Sequence, residues 1–426
     1  MLDIKYIREN KKEIEKTIRN KGVNLDLEKL LEIDKKRLEL QQQLEILQAE
    51  KNRLNKKIKE SSGKEMIISE GKKIKEKITK LEPKYKEINR QFEELMVKMP
   101  NIISSDTPIG KDESKNKILR KFKEPTKFDF KPKNHMELGI LNDSIDTEKA
   151  AKISGSRFNY LFNQAVFLQF AIIQFVFKTL TDKKIIGELA EKVGNPFNKP
   201  FTPVIPPVIA KAEIMKKMDR FDPIEERYYL EQDDALLVGS AEHTLGPLHM
   251  DEIIDEKDLP IRYIGYSTAF RREAGGYGKD TTGILRRHQF DKAEMETFIQ
   301  PEYGLVEQDL IVAIQEYIVQ QLGIPYQVII LCTGDMGKPD FRQIDINCWM
   351  PGQNEYRETH TSDYMTDYQA RRLNTKLRRK NGSTEFIHMN DATACAIGRM
   401  IIAIMENYQQ KDGTIKIPTV LEGYIK

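Results

Sequence analysis

The amino-acid sequence predicts an α+β protein with a long helical hairpin in its N-terminal part. Three observations favour this class: two apolar seams at coiled-coil spacing within residues 27–95, a strand–loop–strand pattern around residues 270–298, and an amphipathic helical pattern over residues 392–408. Helices around a mostly antiparallel sheet define the α+β class. A length of 426 residues allows about two or three domains.

The composition indicates a folded protein of a reducing compartment. A hydrophobic content of 39% excludes wholesale disorder. Cys332, Cys348 and Cys395 are too scattered for a CxxC pair, a zinc cluster or a disulfide framework. The charged first residues lack the apolar core of a signal peptide, and the most apolar helical candidate, residues 162–180, contains several polar residues. We therefore expect a cytoplasmic protein with no membrane partner.

The hairpin is predicted from two seams of apolar residues separated by a polar break. The break lies at residues 61–63, and about 33 residues on each side give antiparallel helices about 50 Å long. Pro83 lies inside the second helix, where it removes one backbone hydrogen bond and is expected to kink the arm. The first seam is formed by Leu40, Leu44, Leu47, Leu54 and Ile58, and the second by Ile67, Ile74, Ile78, Leu81, Tyr85, Ile88, Phe92 and Leu95.

Positive charge is concentrated on the hairpin and on the segment after it. Residues 51–134 contain 24 Lys or Arg against 13 Asp or Glu, a surplus of 11, whereas the net charge of the whole chain is +3. Such a block favours a polyanionic partner through counterion release. A lysine-rich helix that is merely solvated gives the same count, so both interpretations stay open at this point.

The rest of the chain is expected to form the larger part of the α+β fold. Residues 100–132 are rich in Pro, Ser and charge, which is typical of a linker, and we place the boundary near residue 110, with domains at 1–110 and 111–426. A helical run is predicted over residues 155–181 and an extended segment over 201–209. Strands are predicted at 328–332 and 342–349, and the amphipathic helix 392–408 comes last.

Residues 270–298 contain the most informative local pattern. Apolar and charged residues alternate on both sides of a Gly-rich loop at residues 275–283, which indicates two antiparallel strands. Arg271 and Glu273 are then expected on one face, where the guanidinium can hold a phosphate and the carboxylate can accept from an amine. A solvated hairpin that carries surface charges is the alternative.

Many segments of the chain, in order and spacing, resemble the bacterial seryl-tRNA synthetases, a family of class II aminoacyl-tRNA synthetases. The resemblance covers essentially the full length. It implies a catalytic domain built on a six-stranded, mostly antiparallel sheet flanked by helices, and a homodimer formed through residues 204–209. The matching segments are MLDIKYIREN, PIGKDES, KFDFKPKNHMELG, AAKISGSRF, FRREAG, RRHQFDKAEMETF, TDYQARRLN and MENYQQKDGTIKIPTVL.

The resemblance implies the activity of a serine–tRNA ligase, which uses ATP to form seryl-adenylate and then charges serine tRNA. Arg271 resembles the ligand of the α-phosphate, and Arg399 the arginine that holds the γ-phosphate. Glu273 corresponds to the adenine-side acid and Phe290 to the ring on which adenine stacks. The remaining ATP-binding positions that the family pattern implies are Arg272, Glu358, Thr359, His360 and Thr361.

The resemblance also implies a second set of residues, which bind Mg²⁺ and L-serine. Glu358 and Thr361 resemble oxygen ligands of Mg²⁺. Glu294 resembles the acid that accepts the serine hydroxyl, with Thr393 assisting. The serine-binding set is completed by Arg271 and by Ser240, Ala241 and Glu242, where the family usually has Thr-Ala-Glu. The resemblance further implies that the helical arm binds serine tRNA through shape and phosphates.

Several positions depart from the family pattern. THTSDYM replaces a serine and cysteine cluster, Asp391 stands where asparagine is usual, and Ser240 replaces a threonine. Two rival interpretations remain at this stage. One is an enzyme that activates a small amino acid for a carrier protein, although such relatives lack the arm. The other is an arm-bearing paralogue without catalysis that acts as an RNA-binding or interaction protein.

Overall fold

The computed structural model describes residues 1–60, 64–274 and 283–425. The expected helix break at residues 61–63 and residues 275–282 of the expected Gly-rich loop lie outside this part of the chain. The described residues divide into two compact units, Met1–Pro100 and Asn101–Lys426. This division falls ten residues before the boundary expected near residue 110.

The N-terminal unit is entirely helical in its described residues. Asp3 caps its first helix by accepting from the backbone N–H of Lys5 at 2.8 Å. Ile7 and Ile14 are buried, and the buried carboxylate of Asp34 pairs with Arg8 at 2.5 Å and with Arg37 at 2.8 Å. The helices are α1 (Ile4–Glu9), α2 (Lys11–Asn20), α3 (Leu27–Glu60) and α4 (Lys64–Lys98).

The long helices α3 and α4 pack against each other, which confirms the predicted helical arm. Leu44 and Leu54 of the first seam and Ile74 and Ile78 of the second are buried together in one cluster. Helix α4 continues through Pro83. The apolar seam therefore stabilises a helix whose backbone has lost one hydrogen bond at the proline.

The second unit contains the strands and the remaining helices. Its strands are β1 (Lys117–Phe122), β2 (Ile145–Asp146), β3 (Tyr160–Leu161), β4 (Thr202–Val204), β5 (Ile209–Lys211), β6 (Tyr229–Leu230), β7 (Ala235–Leu237), β8 (Ile253–Asp255), β9 (Ile261–Phe270), β10 (Gln289–Ile299), β11 (Tyr326–Ile330), β12 (Arg342–Met350), β13 (Glu355–Thr366), β14 (Lys376–Arg378), β15 (Thr384–Phe386) and β16 (His388–Ala396). Its helices are α5 (His135–Leu141), α6 (Glu148–Ser154), α7 (Gln164–Thr181), α8 (Lys183–Val193), α9 (Ala212–Lys217), α10 (Glu242–Leu245), α11 (Gly304–Gln321), α12 (Tyr368–Leu373), α13 (Ile397–Asn407) and α14 (Thr419–Glu422).

The main sheet confirms the predicted antiparallel architecture but is larger than expected. Its order is β1-β11-β12-β13-β16-β10-β9-β4, so the described residues form eight strands instead of six. The six inner strands are antiparallel to one another, whereas the edge strand β4 pairs with β9 in parallel. The two additional strands lie at the edges. Strand β1 is almost fully exposed and charged, and β4 has three residues including Pro203, so neither shows an apolar alternation.

Two predicted helix boundaries are wrong. Residues 155–163 are not helical, because β3 and Asn163, with a φ of 50°, precede α7. Residues 392–396 belong to β16, and α13 begins only at Ile397. Both errors arise because apolar residues continue across the junction of two elements, so that periodicity alone extends the helix.

The hydrophobic core lies between the main sheet and three helices. Ile311 and Ile314 of α11, Ile401 and Ile404 of α13, and Ile172 of α7 are fully buried. All three cysteines are free and buried. The core thus fixes the sheet face against which α11 and α13 pack.

Helix α7 is the one described helix that is long and apolar enough to cross a membrane by length and composition. The polar residues expected in this segment include three glutamines of α7, and Lys178 is the one charged residue of the helix. A core helix of a globular protein passes the same test, and α7 buries Leu168, Phe175 and Leu180 in the core.

Candidate active site

A cavity of about 460 Å³ opens over the central strands of the main sheet. Its walls come from β10, β13 and β16, from the chain that follows β9, and from the start of α13. The structure brings most of the sequence-predicted residues together there, namely Glu242, Arg271, Glu273, Phe290, Glu294, Glu358, Thr359, Thr361, Thr393 and Arg399. Residues from five separate stretches of the chain therefore share one site.

Arg271 lies directly after β9, where the strand opens into the cavity. Its Nε donates to the carbonyl of Gly239 at 3.1 Å, and its guanidinium carbon lies 5.4 Å from the centre of the Phe290 ring. The carbonyl of Gly239 fixes the side chain on one side and the ring supports it on the other. One wall of the cavity thus combines an oriented cation with an aromatic face.

Glu273 does not continue the strand, so the expectation that Arg271 and Glu273 share one face of a strand is wrong. Strand β9 ends at Phe270, and Glu273 has a φ of 52°. The carboxylate of Glu273 forms an ion pair with Arg286. Because the strand ends at Phe270, its alternation of faces does not extend to Glu273, although both side chains line the cavity.

At a second wall of the cavity, Arg399 forms an ion pair with Glu358. Nη1 of Arg399 lies 2.9 Å from the backbone oxygen of Glu358 and 2.9 Å from its Oε1. Burial favours the neutral acid, but the charges of Arg399, Arg271 and Lys292 hold the pKa of Glu358 below its usual value. A carboxylate is therefore maintained at this wall.

Two further residues place side-chain oxygen atoms near Glu358, and these could act as metal ligands. The hydroxyl of Thr361 donates to Glu358 Oε1 at 3.3 Å, and Thr361 lies opposite Asp345 in the pairing of β13 with β12. Oδ1 of Asp345 is buried and has no partner among the described residues. Burial and the charge of Glu358 raise the pKa of Asp345 well above its usual range. A hard divalent cation fits this set, because it takes oxygen ligands and neutralises clustered carboxyls.

Glu294 forms a small polar pocket on β10. Its Oε1 accepts from the hydroxyl of Ser240 at 2.6 Å and from that of Thr393 at 3.5 Å, and it forms an ion pair with Lys292. The carboxyl is almost fully buried, and burial raises its pKa. A buried acceptor beside two hydroxyl groups is suited to read a hydroxyl on a small ligand.

Glu242, at the start of α10, lies next to this pocket. Arg220 donates through Nε to Glu242 Oε1 at 2.7 Å. Burial works against ionisation, but the charge of Arg220 keeps the pKa of Glu242 well below its usual range. Burial lowers the pKa of His243 to about 4, which leaves a neutral imidazole that accepts from the N–H of Gly239 at 3.0 Å.

Four sequence-predicted residues do not line the cavity. Ser240 and Ala241 are fully buried behind it, although Ser240 still reaches Glu294. Arg272 donates to the carbonyl of Arg227 at 2.7 Å and stacks over Tyr228. His360 is fully buried, contacts Thr359 at 2.8 Å, and has a pKa lowered to about 3 by burial. A register shift in the pairing of β12 with β13 interrupts the alternation here, so Glu358 and Thr361 line the cavity and His360 does not.

Sequence reasoning missed several charged residues of the site. Lys292 could have been found, since it stands two positions before Glu294 and therefore shares its face of the strand. Asp345 and Asp363 lie on β12 and β13 among residues that resemble ordinary strand positions. Arg220 follows α9 in a stretch without periodicity, so no local signal distinguishes it from a surface arginine.

A large antiparallel sheet flanked by helices, with an arginine at the end of one strand and a second arginine on a C-terminal helix facing a common cavity, defines a class II aminoacyl-tRNA synthetase. Residues 227–408 match the family described as "tRNA synthetase class II core domain (G, H, P, S and T)". Residues 1–103 match the "Seryl-tRNA synthetase N-terminal domain".

Relatives of known identity narrow the class. A serine–tRNA ligase of Dictyoglomus turgidum is 40% identical and covers 100% of this chain and 98% of its own length. The structure of seryl-tRNA synthetase from Pyrococcus horikoshii complexed with ATP has a TM-score of 0.88 at 34% identity, covering 100% of this chain and 98% of its own. That of the cytoplasmic serine–tRNA ligase from Naegleria fowleri in complex with AMP has a TM-score of 0.84 at 28% identity, with 100% and 97% covered. The chain belongs to the seryl-tRNA synthetase family.

Proposed function

We propose that the chain activates L-serine with ATP and transfers the seryl group to the 3′-terminal adenosine of serine tRNA. One observation carries this proposal. A single cavity combines two arginines suited to phosphates, Arg271 and Arg399, with a buried carboxyl suited to a hydroxyl, Glu294. The family and the solved relatives with ATP and AMP support the same reaction.

In the first step, a carboxylate oxygen of serine attacks the α-phosphorus of ATP, and the bond from that phosphorus to the pyrophosphate oxygen breaks. Negative charge on the phosphoryl oxygens grows in the transition state, and cations that are already in place stabilise it. Arg271 is oriented for this task by Gly239 and Phe290. We assign Arg271 to the α-phosphate and Arg399 to the γ-phosphate.

The adenine is assigned to the wall that contains Phe290 and Glu273. The Phe290 ring offers a stacking face, and the carboxylate of Glu273 accepts from the exocyclic amine. Arg286 pairs with Glu273 and would hold that carboxylate in place. Thr359 also lines the cavity, whereas the positions of Arg272 and His360 support no contact with ATP in this arrangement.

Glu358 and Thr361 are assigned as the residues that hold Mg²⁺. Mg²⁺ held by these residues would neutralise phosphate charge and supply a Lewis acid. Arg399 orients the carboxylate of Glu358 from one side, and the hydroxyl of Thr361 contacts it from the other. Asp345, opposite Thr361 in the strand pairing, adds a buried carboxyl next to these two residues.

Serine is assigned to the pocket of Glu294. The side-chain hydroxyl of serine donates to Glu294, next to Thr393 and Ser240, while Glu242 lies within the same cavity for the α-ammonium group. Alanine has no hydroxyl to donate to this buried carboxyl and so lacks a hydrogen bond to a charged group, which is worth about 1.5–3 kcal/mol. This difference supplies selectivity for a hydroxyl.

The remaining assignments concern the whole chain. We assign residues 1–110 to a tRNA-binding domain that contains the helical arm, and residues 111–426 to the catalytic domain. The lysine-rich helices of the arm support its binding to serine tRNA. We infer a homodimer from exposed apolar residues of the expected interface segment, since Ile205 is 85% exposed and Ile209 is half exposed. Three buried free thiols support a reducing cytoplasm as the site of action. We expect no membrane partner, since the apolar helix α7 packs in the core.

Pyrophosphate exchange across a panel of small amino acids tests this function. Purified protein with ATP and Mg²⁺ is expected to exchange labelled pyrophosphate with serine in large excess over alanine, glycine and threonine, and then to charge serine tRNA. Equal or faster exchange with one of the other amino acids would overturn the substrate assignment. Absence of exchange with every amino acid would favour the non-catalytic alternative.

A further inference from the structure

Three carboxyls lie side by side beneath the amino-acid end of the cavity. Glu296 on β10 pairs with Asp391 on β16, and Asp391 pairs with Asp363 on β13, so the three face one another across adjacent strands. Neighbouring strands are about 4.8 Å apart. Like charges directly opposite one another in a sheet are destabilising. This acidic row therefore needs protons or a cation.

The acidic row has few hydrogen-bond partners. Both carboxyl oxygens of Glu296, and one oxygen each of Asp391 and Asp363, are buried without a partner among the described residues. Burial raises the pKa of Glu296 and of Asp391 well above their usual ranges, aided by the negative charge of Glu242. These carboxyls therefore favour their protonated forms, and a hydrogen bond with Asp391 helps to keep the neighbouring Glu242 ionised.

Arg220 is the cation that joins Glu242 to this row. Its Nε lies 2.7 Å from Glu242 Oε1 and its Nη2 lies 3.5 Å from Asp391 Oδ2. The arginine side chain is 17% exposed. Its backbone is fixed too, because its N–H donates to Met215 at 2.9 Å and its carbonyl accepts from Arg227 at 2.9 Å.

The ammonium group of an amino acid requires an anionic acceptor in the cavity. Glu294 is assigned to the substrate hydroxyl, and it already forms an ion pair with Lys292 and contacts Ser240 and Thr393. Glu242 lines the same cavity, and its side chain is 14% exposed. Of these two carboxyls, Glu242 is the one left to receive the ammonium, and it can do so strongly only while it is ionised.

We propose that Arg220 is a positioning residue for serine activation, which keeps Glu242 ionised and oriented beside the acidic row so that Glu242 can bind the substrate ammonium. The proposal rests on the serine site described above. Loss of the guanidinium removes the strongest charge that keeps Glu242 ionised. His243 and Asp391 remain as hydrogen-bond partners of Glu242, while Glu294, Glu296, Asp363 and Arg227 are further ionisable groups around this site. The pKa of Glu242 then rises and its carboxylate is held less firmly, so its attraction for the ammonium weakens.

The test compares Arg220→Gln and Arg220→Lys with the wild type in serine-dependent pyrophosphate exchange. Losing a charge-assisted contact costs about 1.5–3 kcal/mol, so Arg220→Gln is expected to raise KM for serine by about tenfold or more. KM for ATP stays within about twofold. Arg220→Lys keeps the charge and is expected to restore most of the serine affinity. Arg372→Gln is the matched control, since Arg372 pairs with the neighbouring Asp219 at 3.5 Å.

The pH profile adds a readout that a structural role would not move. In the wild type, Glu242 is ionised throughout the range from pH 6.5 to 8.5, and KM for serine stays nearly constant. In Arg220→Gln the pKa of Glu242 rises, so the increase in KM for serine on acidification is expected to begin at a higher pH than in the wild type. Equal increases in both KM values, a pH profile of Arg220→Gln that matches that of the wild type, or failure of Arg220→Lys to restore affinity would each overturn the proposal.

The outcomes separate this proposal from the function on which it rests. If the wild-type protein does not catalyse pyrophosphate exchange with serine, the assignment of the serine site itself is wrong. If the wild type catalyses exchange with serine but Arg220→Gln leaves KM for serine unchanged, only the proposed role of Arg220 is wrong. Thermal unfolding of each variant identifies loss of folding, and Arg220→Lys then carries the test.

Discussion

Arg399 contacts Glu358 at two points through one nitrogen, at 2.9 Å from the backbone oxygen and at 2.9 Å from Oε1. The contact joins the first turn of α13 to β13, so residues 41 positions apart form one wall of the cavity. An arginine held in this way has little freedom to lose when a phosphate arrives, which favours binding.

Replacing Arg399 with glutamine is expected to lower kcat for serine-dependent pyrophosphate exchange by about 10²-fold or more. A preorganised donor that meets charge developing in the transition state typically contributes at this scale. Steady-state exchange at saturating serine measures the effect. Arg357→Gln is the control, because Arg357 forms an ion pair with Glu355 at 3.0 Å and does not line the cavity. A loss below about threefold would contradict the assignment of Arg399.

Replacing Glu294 with glutamine is expected to raise KM for serine by about tenfold and to reduce the preference for serine over alanine. The amide no longer offers a charged acceptor to the substrate hydroxyl, and it also loses the ion pair with Lys292. Exchange rates with the two amino acids at equal concentrations give the preference. The matched control is Glu355→Gln on the surface. An unchanged ratio of serine to alanine would remove Glu294 from the specificity pocket.

Replacing Thr361 with valine is expected to raise the Mg²⁺ concentration needed for half-maximal exchange, because valine keeps the shape but removes an oxygen donor. Chelation of divalent cations in the wild type is expected to abolish exchange, and added Mg²⁺ to restore it. A titration of activity against free Mg²⁺ measures both effects. If Thr361→Val and the wild type have the same Mg²⁺ requirement, the hydroxyl is not a ligand.

Deleting residues 27–99 is expected to spare adenylate formation and to abolish charging of serine tRNA. The arm has its own apolar seam, with Leu44, Leu54, Ile74 and Ile78, and forms most of a separate compact unit. Pyrophosphate exchange and aminoacylation are measured on the same preparation. Equal loss of both activities would show that the arm is needed for more than tRNA.

The sequence predicted those parts of the fold that have long periodic patterns. The seams of α3 and α4 and the pair β9–β10 were evident from spacing, because apolar residues recur there over many positions. The edge strands β1 and β4 could not be predicted in this way, since one is exposed and charged and the other has three residues.

The candidate site was predictable only where a motif marks it. Arg271, Glu294, Glu358 and Arg399 follow from the family pattern, and the structure brings them to one cavity. The inward charges of Arg220, Asp345 and Asp363 depend on which strands are neighbours and in which register, and a single sequence does not give that register. Glu273 was expected on the same strand face as Arg271, but β9 ends three residues before Glu273.

The shielding of the three cysteines makes the chain suited to site-specific labelling. Burial raises the pKa of Cys348 to about 12 and that of Cys395 further, and all three thiols are enclosed by the protein. A cysteine introduced at an exposed position on the arm, such as Lys75, would therefore react first with a maleimide dye. Two such dyes could report distances during tRNA capture without removal of any native thiol.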